Sequence, residues 1–98
     1  MRDRIQINGR GCRVTPVMRD VLAAVVDAKA PPWALEVCEA TGHESGGVCL
    51  ALDELLDAGL IRDWWAPARS RMPEHRYYFP AFGSPWYRAN GLLPERAS

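Results

Sequence analysis

Apolar residues recur along this chain with two different periods. Val14, Val17, Met18, Val21, Leu22, Val25 and Val26 follow one another at three- and four-residue spacing, which predicts an amphipathic helix over 16–28 with a single apolar stripe. Thr15-Pro16 supplies its start, a hydroxyl cap followed by a proline whose missing N–H costs nothing in the first turn. Ala30-Pro31-Pro32 breaks the chain stiffly. A second helix is predicted over 33–41, with Val37 and Cys38 turned inward and Thr41-Gly42 closing it. Ser45 is placed as the cap of a third helix over 45–58, whose inner positions are Val48, Ala51, Leu52, Leu55 and Leu56 and whose exit is Gly59. From Leu60 the period shortens. Strands are predicted over 60–66 and 74–80, the second carrying Arg76-Tyr77-Tyr78-Phe79, aromatic residues that suit a pleated, half-buried surface.

Two end segments are less regular. Ile5 and Ile7 alternate with polar residues before Asn8-Gly9, a two-residue hairpin signal. Gly11 weakens the second strand, so a basic hairpin and a loose basic arm both fit residues 1–14. Beyond Pro80, the residues Gly83, Pro85, Gly91 and Pro94 leave no room for a long helix, and 81–98 reads as an irregular tail packing on the domain. The central unit is then 15–80. The fold class is mainly α with a small antiparallel β-sheet (α+β), either a hairpin or a three-stranded sheet.

Composition narrows the function classes. At 98 residues the chain holds one core, and 48% hydrophobic content is enough to form it. No apolar run approaches the roughly 20 residues that span a bilayer, and Met1-Arg2-Asp3-Arg4 leads into nothing resembling a secretory signal. Three cysteines, Cys12, Cys38 and Cys49, do not make a disulfide framework; reduced thiols in the cytoplasm are expected. Cys38, His43 and Cys49 lie near one another, but structural zinc sites use tighter pairs and four ligands, so no metal or other cofactor is expected. Cys38 is assigned to the core, and Cys49 to a buried, inert position ahead of an activated thiol. His43 and His75 have no evident partners. Without a phosphate loop, a nucleophile–base pair or a metal quartet, the chain is not read as an enzyme.

The charge, zero in sum, is unevenly spread. Residues 1–19 carry +4, residues 20–58 carry −7 and residues 59–98 carry +3. Both ends are basic, and an anionic partner would meet them rather than the middle. Eleven of the twelve basic residues are arginine, the side chain suited to bidentate contacts with phosphates and guanine edges; a GC-rich coding bias explains the same excess. Four tryptophans is many for this length. Adjacent Trp64 and Trp65 point to opposite faces of a strand, so one of them should leave the core. That ring is expected to stack on the tail near Trp86 and Tyr87, with an interface anchor as the other use.

The order helix, break, helix, tight turn, helix, hairpin with a basic tip resembles a winged helix-turn-helix. Within it, Glu36-Val37-Cys38-Glu39-Ala40-Thr41-Gly42, then Ser45-Gly46-Gly47-Val48, then Ala51-Leu52-Asp53-Glu54-Leu55-Leu56-Asp57-Ala58-Gly59-Leu60-Ile61 are similar to the PadR-like transcription regulators. Arg76-Tyr77-Tyr78 resembles the double-tyrosine strand that follows the wing in that family. The similarity spans roughly residues 16–80. It implies a DNA-binding regulator whose third helix enters the major groove while the wing touches the backbone.

Carried onto this chain, the recognition helix would offer Ser45, Gly46, Gly47, Cys49 and Leu50 to DNA. The wing and its strands would offer Arg62, Arg69, Ser70, Arg71 and Arg76, and the N-terminal arm Arg2, Arg4, Arg10 and Arg13. Gly46 and Gly47 allow close backbone approach or merely serve the turn. Asp53, Glu54 and Asp57 in the same helix would repel phosphates if they faced them. They sustain a second reading, a winged-helix module that binds protein through its acidic third helix or exposed aromatics. The first reading is a sequence-specific binder of double-stranded DNA, a transcription regulator or mobile-element accessory factor at the cytoplasmic nucleoid. PadR-like regulators carry a C-terminal dimerisation helix that is not predicted here, so weak self-association strengthened on DNA is expected.

Overall fold

The computed structural model describes residues 4–7, 10–68 and 73–94. Its elements are β1 (Arg4–Ile7), β2 (Arg10–Arg13), α1 (Pro16–Asp27), α2 (Ala34–Thr41), α3 (Ser45–Asp57), β3 (Ile61–Ala66), β4 (His75–Pro80) and α4 (Ser84–Ala89). β1 and β2 pair antiparallel, Arg4 opposite Arg13 and Ile7 opposite Arg10, so the N-terminal segment is a hairpin rather than a loose arm. Together these make an α+β domain. No described helix is long and apolar enough to cross a membrane.

Local chemistry sets the helix ends. Thr15 Oγ1 accepts from the Met18 N–H at 3.2 Å, with Pro16 opening α1. The Glu36 carboxylate accepts from the Trp33 N–H at 3.2 Å and fixes the start of α2. α2 ends at Gly42, whose φ of 75° is open to glycine at no steric cost. Ser45 is not the cap of α3. Glu44 occupies that position in an extended conformation, and its side chain does not cap the helix. α3 closes on a paired motif in which the Gly59 N–H donates to Leu56 O and the Leu60 N–H to Leu55 O, both at 3.0 Å. Gly59 takes φ 75° there, and Leu55 and Leu60 are fully buried, the apolar contact that accompanies such an exit.

One core joins every part of the chain from Val14 to Leu93. Met18, Val21, Leu22 and Val25 of α1 meet Val37 of α2 and Val48, Leu52 and Leu55 of α3. The segment after Pro80 enters the same core through Tyr87, Leu92 and Leu93, and it contains α4, a six-residue helix, where an irregular tail was expected. Pro85 sits in the first turn of α4, where proline is tolerated, and the chain turns away at Gly91 with φ 72°. The Tyr87 hydroxyl donates to Leu60 O at 2.6 Å and accepts from the Phe82 N–H at 3.1 Å. Burial holds the Tyr87 phenol above its ordinary pKa, against the opposing effect of the Phe82 and Ala81 backbone N–H groups.

β3 and β4 pair antiparallel with Ile61 opposite Pro80 and Ala66 opposite His75. β4 also touches the break between α1 and α2: the Tyr78 N–H donates to Pro32 O at 2.9 Å, and Trp33 forms an isolated bridge with Tyr77. Pro31 and Pro32 have no N–H to extend this into a full third strand.

Candidate nucleic-acid interface

α3 divides cleanly into two faces. Val48, Ala51, Leu52 and Leu55 are buried, whereas Ser45, Gly46, Gly47, Cys49 and Leu50 are all exposed, so the five residues assigned to the recognition helix share one open surface. Cys49 therefore departs from the buried position expected of it. Its place, one residue beyond inward Val48, rotates it to the flank of the helix. Leu50 is 61% exposed. The Glu44 side chain makes no capping hydrogen bond to the first turn of α3, whose leading amides have no partner within the helix.

Asp53, Glu54 and Asp57 are exposed as well. Gly46, Leu50, Asp53 and Asp57 follow one another at four-, three- and four-residue steps, one line along the outer face. The carboxylates of Asp53 and Asp57 begin about 10 Å beyond Gly46 at 1.5 Å per residue. The acidic part of the helix thus shares the direction of the neutral part and is separated from it lengthwise.

The β3–β4 hairpin stands beside this face. Directly paired residues share a side, which puts Asp63, Trp65, Arg76 and Tyr78 together on one side and Arg62, Trp64, Tyr77 and Phe79 on the other. On the first side, Arg76 is engaged within the chain. Its Nε donates to Asp63 Oδ2 at 2.7 Å, its Nη1 lies 4.0 Å from Asp53 Oδ1, and its guanidinium sits 5.8 Å from the Trp65 ring and 5.4 Å from the Tyr78 ring. Partial burial works against this cation, but the hydrogen bond to Asp63 and the nearby Tyr78, Asp63 and Asp53 outweigh it and hold its pKa above the ordinary range. The Tyr78 phenol is also held up, first by burial and then by Cys49, Asp53 and Asp63, against the pull of Arg76. Arg76, assigned with Arg62 to the DNA-facing strands, thus links α3 to the hairpin and offsets two carboxylates.

On the second side, Arg62 is exposed beside Trp64. Arg13 is exposed at the end of β2. Of the other arginines assigned to the surface, Arg4 and Arg10 lie on paired strands whose side chains are outside the described set, and Arg2, Arg69, Ser70 and Arg71 lie outside the described residues altogether.

The tryptophans depart from expectation. Both Trp64 (55%) and Trp65 (54%) are exposed, although they stand on opposite sides of β3. Trp64 stacks on Tyr77 at 5.9 Å and not on the tail, where Trp86 instead packs on Phe82 at 4.2 Å and on Tyr87 at 5.2 Å. Both histidines have partners that spacing did not reveal. His43 Nε2 pairs with Asp20 Oδ2 at 2.8 Å, tying the α2–α3 turn to α1. The His75 Nδ1 donates to Pro73 O at 2.6 Å while its ring meets Trp33 edge-on at 4.5 Å. Among the described residues no group of three or more His, Cys, Asp or Glu side chains is placed to hold a metal ion. Cys38 is half-buried against the core, and neither it nor Cys49 is in a disulfide.

No family model, no curated protein and no solved structure matches this chain.

Proposed function

We propose that this protein is a winged helix-turn-helix binder of double-stranded DNA, of PadR-like type, acting as a transcription regulator or mobile-element accessory factor on the cytoplasmic nucleoid. The observation that carries the reading is the combination at α3: a helix delivered by a tight glycine turn, its inner side locked in the core, the outer side of its first two turns exposed and free of acidic side chains. A hairpin flanks that helix, and the Pro32–Trp33 segment between α1 and α2 joins β4, the arrangement that a winged helix builds into its small sheet. In this reading α3 enters the major groove by its N-terminal turn, where backbone N–H groups favour a phosphate. Arg62, the N-terminal arginines and Arg69 and Arg71, which lie between β3 and β4 in sequence, neutralise the backbone.

A specific observation favours a second reading. Asp53, Glu54 and Asp57 are exposed beside Leu50, and both Trp64 and Trp65 stand open; a basic protein segment, including that of a second copy, would complement this surface. Binding to a random 30-base-pair duplex, followed by fluorescence anisotropy at two salt concentrations, separates the two. The DNA reading expects affinity that falls steeply with salt and a log–log slope that shrinks by about 2 when Arg69 and Arg71 are both changed to alanine. No binding at low salt would leave the protein-binding reading standing alone. Sedimentation with and without duplex tests the accompanying expectation of weak self-association that DNA strengthens.

A further inference from the structure

The exposed part of α3 has a chemical inventory that restricts what it can read. In its first two turns the outward residues are Ser45, Gly46, Gly47, Cys49 and Leu50. None has a guanidinium, an ammonium or an amide, the groups that read guanine or adenine bidentately. The largest of them is Leu50, 61% exposed, on the outward line that starts at Gly46 and one turn beyond it. It is flanked by glycine on the N-terminal side, so no neighbouring side chain stands taller there. Among the described residues it is not one of the partly buried apolar side chains that pack on the core.

We propose that Leu50 is the specificity-determining residue of α3 and that it reads the 5-methyl group of thymine in the major groove. This rests on the DNA-binding reading and deepens it: the preferred duplex is defined on the α3 side by thymine methyls in apolar contact, and not by hydrogen bonds to guanine. A methyl group at the groove floor is the one base feature that an aliphatic side chain can distinguish. The acidic residues beyond it, Asp53 and Asp57, discourage the helix from seating deeper, so contact is confined to the turn that carries Leu50.

The test compares two chemically matched pools of random 30-base-pair duplex, one containing thymine and one with deoxyuridine at every thymine position. The thymine pool is first taken through rounds of selection on the wild-type protein, and the enriched duplexes are then resynthesised in both forms. Wild type should prefer the thymine form by about fourfold for each methyl buried, the value of removing one such group from water. Leu50→Ala should bind both forms equally, while Leu50→Met, unbranched but apolar and of similar reach, should retain a preference for thymine. Equal binding of both forms by wild type, or an undiminished preference in Leu50→Ala, would overturn the assignment while leaving DNA binding intact. Failure to bind either pool at low salt would overturn the DNA reading and this inference together. Thermal melting of Leu50→Ala, expected within a degree or two of wild type for an exposed position, separates lost reading from lost fold.

Discussion

The two sides of α3 are built under different constraints. The inner side presents Val48, Leu52 and Leu55, all fully buried, to α1, and a change of one methylene there is felt throughout a close-packed interior. The outer side presents Gly46, Leu50, Asp53 and Asp57 to solvent, and apart from the approach of Asp53 to Arg76 the fold asks little of it. A side chain added at Gly46 or Gly47 would meet no atom within 4 Å, and neither glycine has the left-handed backbone found at Gly42, Gly59 and Gly91. Two glycines in a helix, each worse than alanine by roughly 0.5–1 kcal/mol, are therefore not explained by packing. The difference between the faces teaches where to look for function: residues that the fold would replace without loss are the ones available to a partner.

The largest effect should come from exchanging equivalent leucines across this divide. Leu52→Ala removes a fully buried side chain and should cost about 2–5 kcal/mol in urea denaturation, the range for such cavities. Leu50→Ala, two residues away, should stay within about 0.5 kcal/mol of wild type. Equal losses at both positions would mean that the outer face is covered by something in the folded protein, and the comparison would collapse.

Tyr87 tests the inner side from the other end of the chain. Tyr87→Phe keeps the ring and leaves the Phe82 N–H without its acceptor and Leu60 O with only the Ala81 N–H, at a cost of about 1–3 kcal/mol. The pH dependence has a definite sign. The folded pKa of Tyr87 is raised, so the folded state holds its phenolic proton more tightly than the unfolded chain does. The resulting stability is fully present below the ordinary tyrosine pKa of about 10 and is lost as pH climbs through the raised folded value. Wild type should lose stability there more steeply than Tyr87→Phe in denaturation series taken from neutral to strongly alkaline pH. Parallel curves would show that the hydroxyl is not held as described.

Much of this architecture was legible in residues, and the failures share a cause. Thr15-Pro16, Gly42 and Gly59 act through their own backbone or that of near neighbours, and the three main helices and strands β3 and β4 fall within a residue or so of where the periodicity places them. Ser45 looked like a cap because serine is a good one, yet Glu44 takes the extended position before α3. α4 is too short to show a period, and the burial of Tyr87 depends on a carbonyl at Leu60, far back in the chain. His43 finds Asp20 across α1 in the same way. The alternation rule placed one of Trp64 and Trp65 inside, but both are exposed: alternation assigns the two rings to opposite sides without fixing how far either side is covered at that residue. At the candidate site, the inward Val48, Ala51, Leu52 and Leu55 followed from helical period, but Cys49 was expected inside and is exposed, and the engagement of Arg76 by Asp63 and Asp53 required the strand register and the approach of α3.

A further pair of substitutions sets a glycine the fold needs against one it does not. Gly59→Ala forces a Cβ into the left-handed region at φ 75° and should destabilise by about 1–2 kcal/mol. Gly46→Ala, in backbone that alanine adopts freely and with open space around it, should stabilise by about 0.4–1 kcal/mol. If the outer face receives DNA, that same Gly46→Ala should weaken duplex binding while raising the melting temperature. A variant both more stable and equally able to bind would remove Gly46 from the interface.

The smallest expected effect concerns Arg62 of β3 and Arg76 of β4, and it distinguishes a phosphate contact from an internal counter-charge. Arg62 is exposed, on the opposite side of the hairpin from Asp63 and Arg76, so Arg62→Ala should lower affinity uniformly across duplex sequences and reduce the salt slope by about 1, with stability hardly changed. Arg76 is held by Asp63 at 2.7 Å and is a third exposed, which limits the stability its ion pairs can supply. Its removal frees two carboxylates, Asp53 and Asp63, next to the surface that would meet phosphates. Arg76→Ala should therefore also weaken DNA binding, but through added repulsion, and replacing Asp53 with asparagine in the same chain should restore part of the loss. The same Asp53→Asn change in an Arg62→Ala background adds only the small gain from one fewer acid, because Arg76 already offsets Asp53 there. Anisotropy titrations of the four variants at one low salt concentration measure this directly. If Asp53→Asn rescues both backgrounds equally, Arg76 is an ordinary phosphate ligand and the hairpin contributes charge without regard to side.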